Sequence, residues 1–344
     1  MKTLFTSFLI LVGSCATVRH SERVDNLRNS IDFKDDDVHV QKYLSTIQVE
    51  QLKDYVYEIA SDKYMGRMTG EDGHDSLCKY LIAYYKGLNF KAPEGYSDYS
   101  QLVPKSELPK GTDSSQNIIA YIEGSEFPNE YVYVMGHSDH EGIVNETIYP
   151  GADDNGSGTA AIMEIAEAFK IAELDGYKPR RSLVFLHVTA EEIGLHGSRF
   201  YKENPIFPLE QTTTVLNTDM IGRVDGRHKN NENYIYLIGS DRISTELHFI
   251  AQEANETFTN LEIDYTFNDP KDPNNYFYRS DHYNFASEGI PVIFFFNGEH
   301  EDYTKPTDTA DKINYPLLKK RADLIFATAW YLVNADSQVS REVL

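Results

Sequence analysis

Cysteine is scarce in this chain: Cys15 and Cys78 are the only two in 344 residues, too few for a disulfide framework. Positive charge is short as well. Against 54 Asp and Glu stand 32 Lys and Arg, leaving a formal net charge of -22. An acidic surface of that size repels phosphate backbones and anionic headgroups, so nucleic acid is excluded as the main partner. Long apolar runs are missing too; the one at Leu4–Val12 is too short to span a bilayer. No internal repeat or low-complexity tract stands out. What is present is a hydrophobic content of 41% in a chain long enough to bury a substantial core.

At the N-terminus, Lys2 precedes the apolar run and Val12-Gly13-Ser14-Cys15 follows it. A charged start, a short apolar stretch and a small-residue exit are the parts of a secretory signal. A cysteine directly after Val-Gly-Ser resembles the bacterial lipobox, in which that residue is lipidated. The expected organisation is a signal peptide at 1–15, a polar tether at 16–42 and one domain at 43–336. A tail at 337–344 follows. The protein is then expected to be exported and held at a bacterial membrane by a lipid on Cys15, facing the periplasm or cell exterior. Cys78, in the apolar-patterned Leu77–Leu88, reads as a buried free thiol.

From about Tyr43 the pattern alternates. Apolar spacing predicts helices over Val49–Tyr64, Asp75–Leu88, Gly158–Ala172, Ser244–Phe258 and Pro316–Val333. Strand-like runs fall at Asn117–Ile122, Tyr131–Met135, Ser182–Val188, Thr213–Leu216, Tyr234–Ile238 and Pro291–Phe296. Strands separated by helices imply an α/β fold: a single-domain three-layer sandwich with a mainly parallel mixed sheet and helices on both faces. Sites in such sheets gather beyond the carboxyl ends of the strands.

The residues just past those ends are polar. His137-Ser138-Asp139, the loop of Asp153-Asp154, Glu191-Glu192, Asp219 and Glu299-His300-Glu301-Asp302-Tyr303 come from five separate segments. One aspartate before a helix is ordinarily a cap, and one glutamate pair is ordinarily a solvated surface. Five segments bringing carboxylate or imidazole to one edge are another matter. Carboxylates crowded together protonate unless a cation neutralises them. The compensation that suits imidazole and carboxylate is a divalent metal, with zinc favoured and two ions matching the charge. The glycines of Gly151-Ala152-Asp153-Asp154-Asn155-Gly156-Ser157-Gly158 then serve a cation site and not a phosphate cradle.

The ordered motifs GHSDH (136–140), GADDNGSG (151–158), AEEIGLHGS (190–198), NTDMIG (217–222), SDHYNF (280–285) and DYTKPTDT (302–309) resemble the co-catalytic zinc aminopeptidases. Glutaminyl cyclases and glutamate carboxypeptidases share that superfamily fold. The stretch GRMTGEDG (66–73) looks like its N-terminal part, so the resemblance covers residues 45 to 335. It implies a metal-dependent exopeptidase acting on peptides with a free N-terminus. It further implies two Zn2+ sites, with His137 and Asp219 on one ion, Glu192 on the other and Asp153 bridging. Glu191 becomes the general base, and Asp139 holds the far nitrogen of His137. Tyr303 steadies the oxyanion. A cis peptide is expected at Asp153–Asp154.

One position departs from that pattern. The family has Tyr-His in its final motif, and this chain has Tyr303-Thr304. A neutral hydroxyl is a poor zinc ligand, so the ion on Glu192 is expected to bind weakly or not at all. Three outcomes follow: substitution by His300 or His282, slow work by the His137 ion alone, or an inactive relative that binds peptides or a partner through the old cleft. Cyclase activity is disfavoured, because cyclases depend on the lost histidine.

Overall fold

A computed structural model describes residues 22, 24–33, 36–96 and 98–342. The expected signal peptide and lipid-bearing Cys15 lie outside the described residues. Among the described residues no helix is long and apolar enough to cross a membrane.

Eight strands form the main sheet: β1 (Ser100–Val103), β2 (Ser115–Ile122), β3 (Phe127–His137), β6 (Arg181–Val188), β7 (Thr212–Thr218), β8 (Tyr234–Ile238), β9 (Glu262–Asp264) and β10 (Val292–Phe296). A small separate ribbon pairs β4 (Ile143–Val144) with β5 (Thr147–Ile148). Across the sheet the order is β1-β2-β6-β3-β7-β10-β8-β9. The four central strands β6, β3, β7 and β10 run parallel, while β1, β2 and β8 pair antiparallel to their inner neighbours. The α/β sandwich with a mixed, centrally parallel sheet is thus as expected.

Alternation along β3 shows how the layers are filled. Val132 and Val134 enter one core and Tyr131, Tyr133 and Met135 the other. All eight residues of β6 are buried, as a strand covered on both faces requires. The first core lies under the helices Val49–Ile59, Gly158–Leu174 and Tyr315–Asn334, and the second under His196–Glu203 and His282–Ala286. Local signals set helix starts: Ser244 accepts the Leu247 N–H, and Asn314 accepts that of Leu317 with Pro316 in the first turn. The expected helix over Val49–Tyr64 ends earlier, at Ile59, and a tight turn carries the chain through Asp62–Arg67.

The two ends of the domain are longer than expected. Within the proposed tether, Val40 of the helix Asp37–Leu44 is fully buried, and Ile31 and Phe33 join the main core. The Phe33 ring sits 5.2 Å from that of Phe258 and 5.1 Å from that of Tyr331. Apolar residues spaced among charges were enough to bury one face of a short helix. In the proposed tail, Val339 is buried, Arg341 donates to the Thr212 carbonyl and the Glu342 N–H donates to that of Ile243. Cys78 is the buried thiol the pattern suggested.

If residues 31–42 belong to the folded unit, Phe33→Ala should lower unfolding stability by about 3 kcal/mol, the usual cost of emptying a buried aromatic position. Chemical denaturation measures it; an unchanged midpoint would return the segment to the tether.

Candidate metal centre

Parallel neighbours end together, and here their ends carry the site. His137 closes β3, Glu191 and Glu192 follow β6, Asp219 follows β7, and Glu299 to Tyr303 follow β10. Imidazole Nε2 of His137 lies 3.3 Å from Asp154 Oδ1 and 3.2 Å from Asp219 Oδ1. His140, on the turn after β3, places Nδ1 2.7 Å from Glu192 Oε1 and 3.9 Å from Asp154 Oδ2. Ligand atoms of His137, Asp154 and Glu192 all fall within 4.8 Å of one another, a group that could hold a metal ion. A small cleft opens beside it, lined by Asp154, Glu191, Glu192, Asp219, Arg279 and Tyr303 among others.

Asp154 therefore occupies the place expected of Asp153. Both oxygens of Asp153 are engaged elsewhere: Oδ1 accepts the Gly222 N–H at 2.6 Å and the Ser157 hydroxyl at 2.9 Å. Oδ2 lies 3.1 Å from His300 Nε2, close enough for an ion pair though out of line for a hydrogen bond. The cis peptide likewise falls one residue later, between Asp154 and Asn155. Two adjacent aspartates in a buried loop must point apart, and sequence alone does not say which faces the cleft.

Asp139 also differs from expectation. Its backbone carbonyl, not its carboxylate, lies 3.2 Å from His137 Nδ1; the carboxylate oxygen is at 3.8 Å. That carboxylate instead accepts the backbone N–H groups of Glu191 and Glu192, at 3.2 and 3.4 Å, and the Thr69 hydroxyl at 2.8 Å. It fixes the turn that carries both glutamates.

Of the proposed substitutes for the missing ligand, His300 is taken by Asp153. His282 is fully buried and stacks on Phe294 with centroids 4.8 Å apart. Neither joins the metal-capable group of His137, Asp154 and Glu192 among the described residues, and nor does His140. Thr304 itself is exposed, with φ at +53°. Asp308 braces the aspartate loop: Oδ2 accepts the N–H groups of Asp153 and Asp154 at 2.9 and 3.1 Å. Tyr303 is partly buried in the cleft wall.

Two positioning residues were not anticipated. Asn155 donates to the carbonyls of His137 and Thr218 and accepts the N–H groups of Gly158 and Met220, tying two strand ends to the loop. Arg67, buried with no exposed surface of consequence, donates to the carbonyls of Ile59, Ser138, Pro150 and Gly151. A lone arginine in a Gly-rich stretch and an asparagine beside two aspartates gave only faint signals.

Electrostatics mark the site as built around positive charge. Burial raises the carboxyl of Asp154 to about 6 and of Glu192 to about 8, with repulsion from neighbouring carboxylates adding to it. Burial lifts Glu191 well above the usual range for the same reasons. Burial alone would pull the His137 imidazolium down; the charges of Asp219 and Glu191 more than reverse that.

Residues 117–329 match the description of Peptidase family M28. The chain belongs to that family. Among curated relatives, a probable zinc metalloprotease of Pyricularia oryzae is 28% identical over 263 residues, 65% of this chain and 51% of the relative. The chain thus spans about half the length, or less, of the curated relatives it matches first. Among solved structures, the LapA aminopeptidase of Legionella pneumophila superposes with a TM-score of 0.67 at 19% identity, over 88% of this chain and 75% of that one. A zinc aminopeptidase from Bacillus subtilis gives 0.66 at 16% identity, over 85% and 96%. These structures share the fold.

The raised carboxyls predict how the metal-free protein responds to pH. Unfolded, these groups ionise near 3.8 and 4.5; folded, Asp154 and Glu192 hold their protons to about 6 and 8. Their contribution is intact below pH 4 and is lost as pH rises towards 8. The melting temperature of chelator-treated protein should therefore fall between pH 5 and pH 8, and added zinc should raise it more at pH 8. Equal stabilisation at both pH values would contradict a site emptied of cations.

Proposed function

We propose that this M28 protein is a metal-dependent exopeptidase that removes N-terminal residues from peptides, with zinc as its metal. The convergence of His137, Asp154 and Glu192 within 4.8 Å, beside a cleft open to solvent, carries the reading. Family membership and the zinc metalloprotease named among its relatives support it. His137, Asp154, Glu192 and Asp219 would hold the metal, with Asp154 in place of Asp153. When bound there, zinc supplies a Lewis acid that polarises the scissile carbonyl and acidifies the attacking water.

The rest of the chemistry falls to the chain's own groups. Glu191 lines the cleft on a turn whose backbone Asp139 fixes at 3.2 Å, so its carboxylate is presented to the substrate. There it takes the proton of the water and passes it to the departing amine. The Tyr303 hydroxyl, in the facing wall, donates to the oxygen on which negative charge develops. Asn155 and Arg67 hold the loop in place by donating to backbone carbonyls. Peptides reach the site from outside the cell under the lipobox-like start of the chain, which would anchor it at a membrane through Cys15.

Replacing Glu191 by Gln should remove at least about 100-fold of peptide turnover, the lower range for a positioned general base, while leaving zinc content unchanged. Release of N-terminal residues from a peptide mixture, with metal content by elemental analysis, tests both halves. A wild-type protein replete with zinc that hydrolyses no peptide would instead support a binding role for the cleft.

A further inference from the structure

Thr304 leaves the Glu192 side of the centre without the histidine that the family motif provides. An imidazole is nonetheless already there. His140 stands three residues beyond His137 on the segment after β3, and its side chain has no exposed surface. Nδ1 faces Glu192 Oε1 at 2.7 Å and Asp154 Oδ2 at 3.9 Å. Zinc bonds of about 2.0–2.2 Å in a tetrahedron put neighbouring ligand atoms about 3.3 Å apart, and the two separations bracket that value.

Packing holds the ring in this pose. Gly151 lies against it with φ at +54°, where a Cβ would come within 2.4 Å of His140 Cδ2 and 2.2 Å of the Asp154 carbonyl oxygen. The His140 N–H donates to the Arg67 carbonyl at 3.1 Å, which fixes the backbone below. Nε2 has no hydrogen-bond partner among the described residues, so nothing draws Nδ1 away from the carboxylates.

We infer that His140, through Nδ1, is the imidazole ligand of the zinc held by Glu192 and Asp154, replacing the ligand lost at Thr304. The inference rests on the metallopeptidase reading and adds a ligand to which the resemblance assigns no role. It makes the chain a two-zinc protein with one histidine on each ion.

The test is zinc binding and zinc X-ray absorption, neither of which requires turnover. Wild-type protein dialysed in buffered zinc should hold two ions, and its absorption fine structure should fit an average of one imidazole per zinc. His140→Ala should keep one tight ion and bind the second more than about 100-fold more weakly, since loss of even an outer-shell partner costs 10–100-fold. Thr304→His added to that variant should recover the second ion. Two ions bound with wild-type affinity by His140→Ala would overturn the inference and leave the metallopeptidase reading standing. So would a wild-type spectrum averaging half an imidazole per zinc, a result that decides the matter even if His140→Ala does not fold. A wild-type protein that takes up no zinc would end both.

Discussion

Repulsion among Asp154, Glu191, Glu192 and Asp219 governs the arrangement of everything around them. Three loops deliver them to one edge of the sheet, with Glu191 and Glu192 on the same turn, in a place where burial already penalises charge. Left to themselves such groups take up protons, which is what the upward shifts of three of them record. In the proposed reading a bound metal relieves the crowding in place of protons. Catalysis in the proposed reading uses the same feature: the charge that makes the empty site costly is the charge that holds the metal.

The loops that carry these groups are braced through their backbone carbonyl and N–H groups. The aspartate loop is held by the Asn155 amide, the Arg67 guanidinium on backbone carbonyls and the Asp308 carboxylate on two N–H groups. The turn bearing the two glutamates is held by Asp139 in the same way. Asp153, which could have competed for the metal, is bound to Gly222, Ser157 and His300.

Much of this was legible in the sequence. The strand at Tyr234–Ile238 begins and ends where its apolar run does, and His137, Glu191, Glu192 and Asp219 stand past strand ends as the α/β pattern required. Less legible were choices between near-equivalent neighbours. Asp153 and Asp154 are chemically identical and adjacent, and only the path of the loop turns one inward. His140 was visible as the second histidine of GHSDH, but its ring meets Glu192 across 52 positions of chain, a distance no local pattern encodes. Residues 31–42 looked polar because their buried positions are few and widely spaced, although Phe33 and Val40 sit fully in the core.

By itself the sequence determined the α/β sandwich, the edge where the chemistry gathers and the need for a cation there, because periodicity and charge are local and additive. Tertiary structure decided which aspartate faces the cleft, which histidine stands opposite Glu192 and how far the domain reaches towards its termini. Those depend on contacts between segments distant in the chain, where packing geometry selects among groups of equal chemistry.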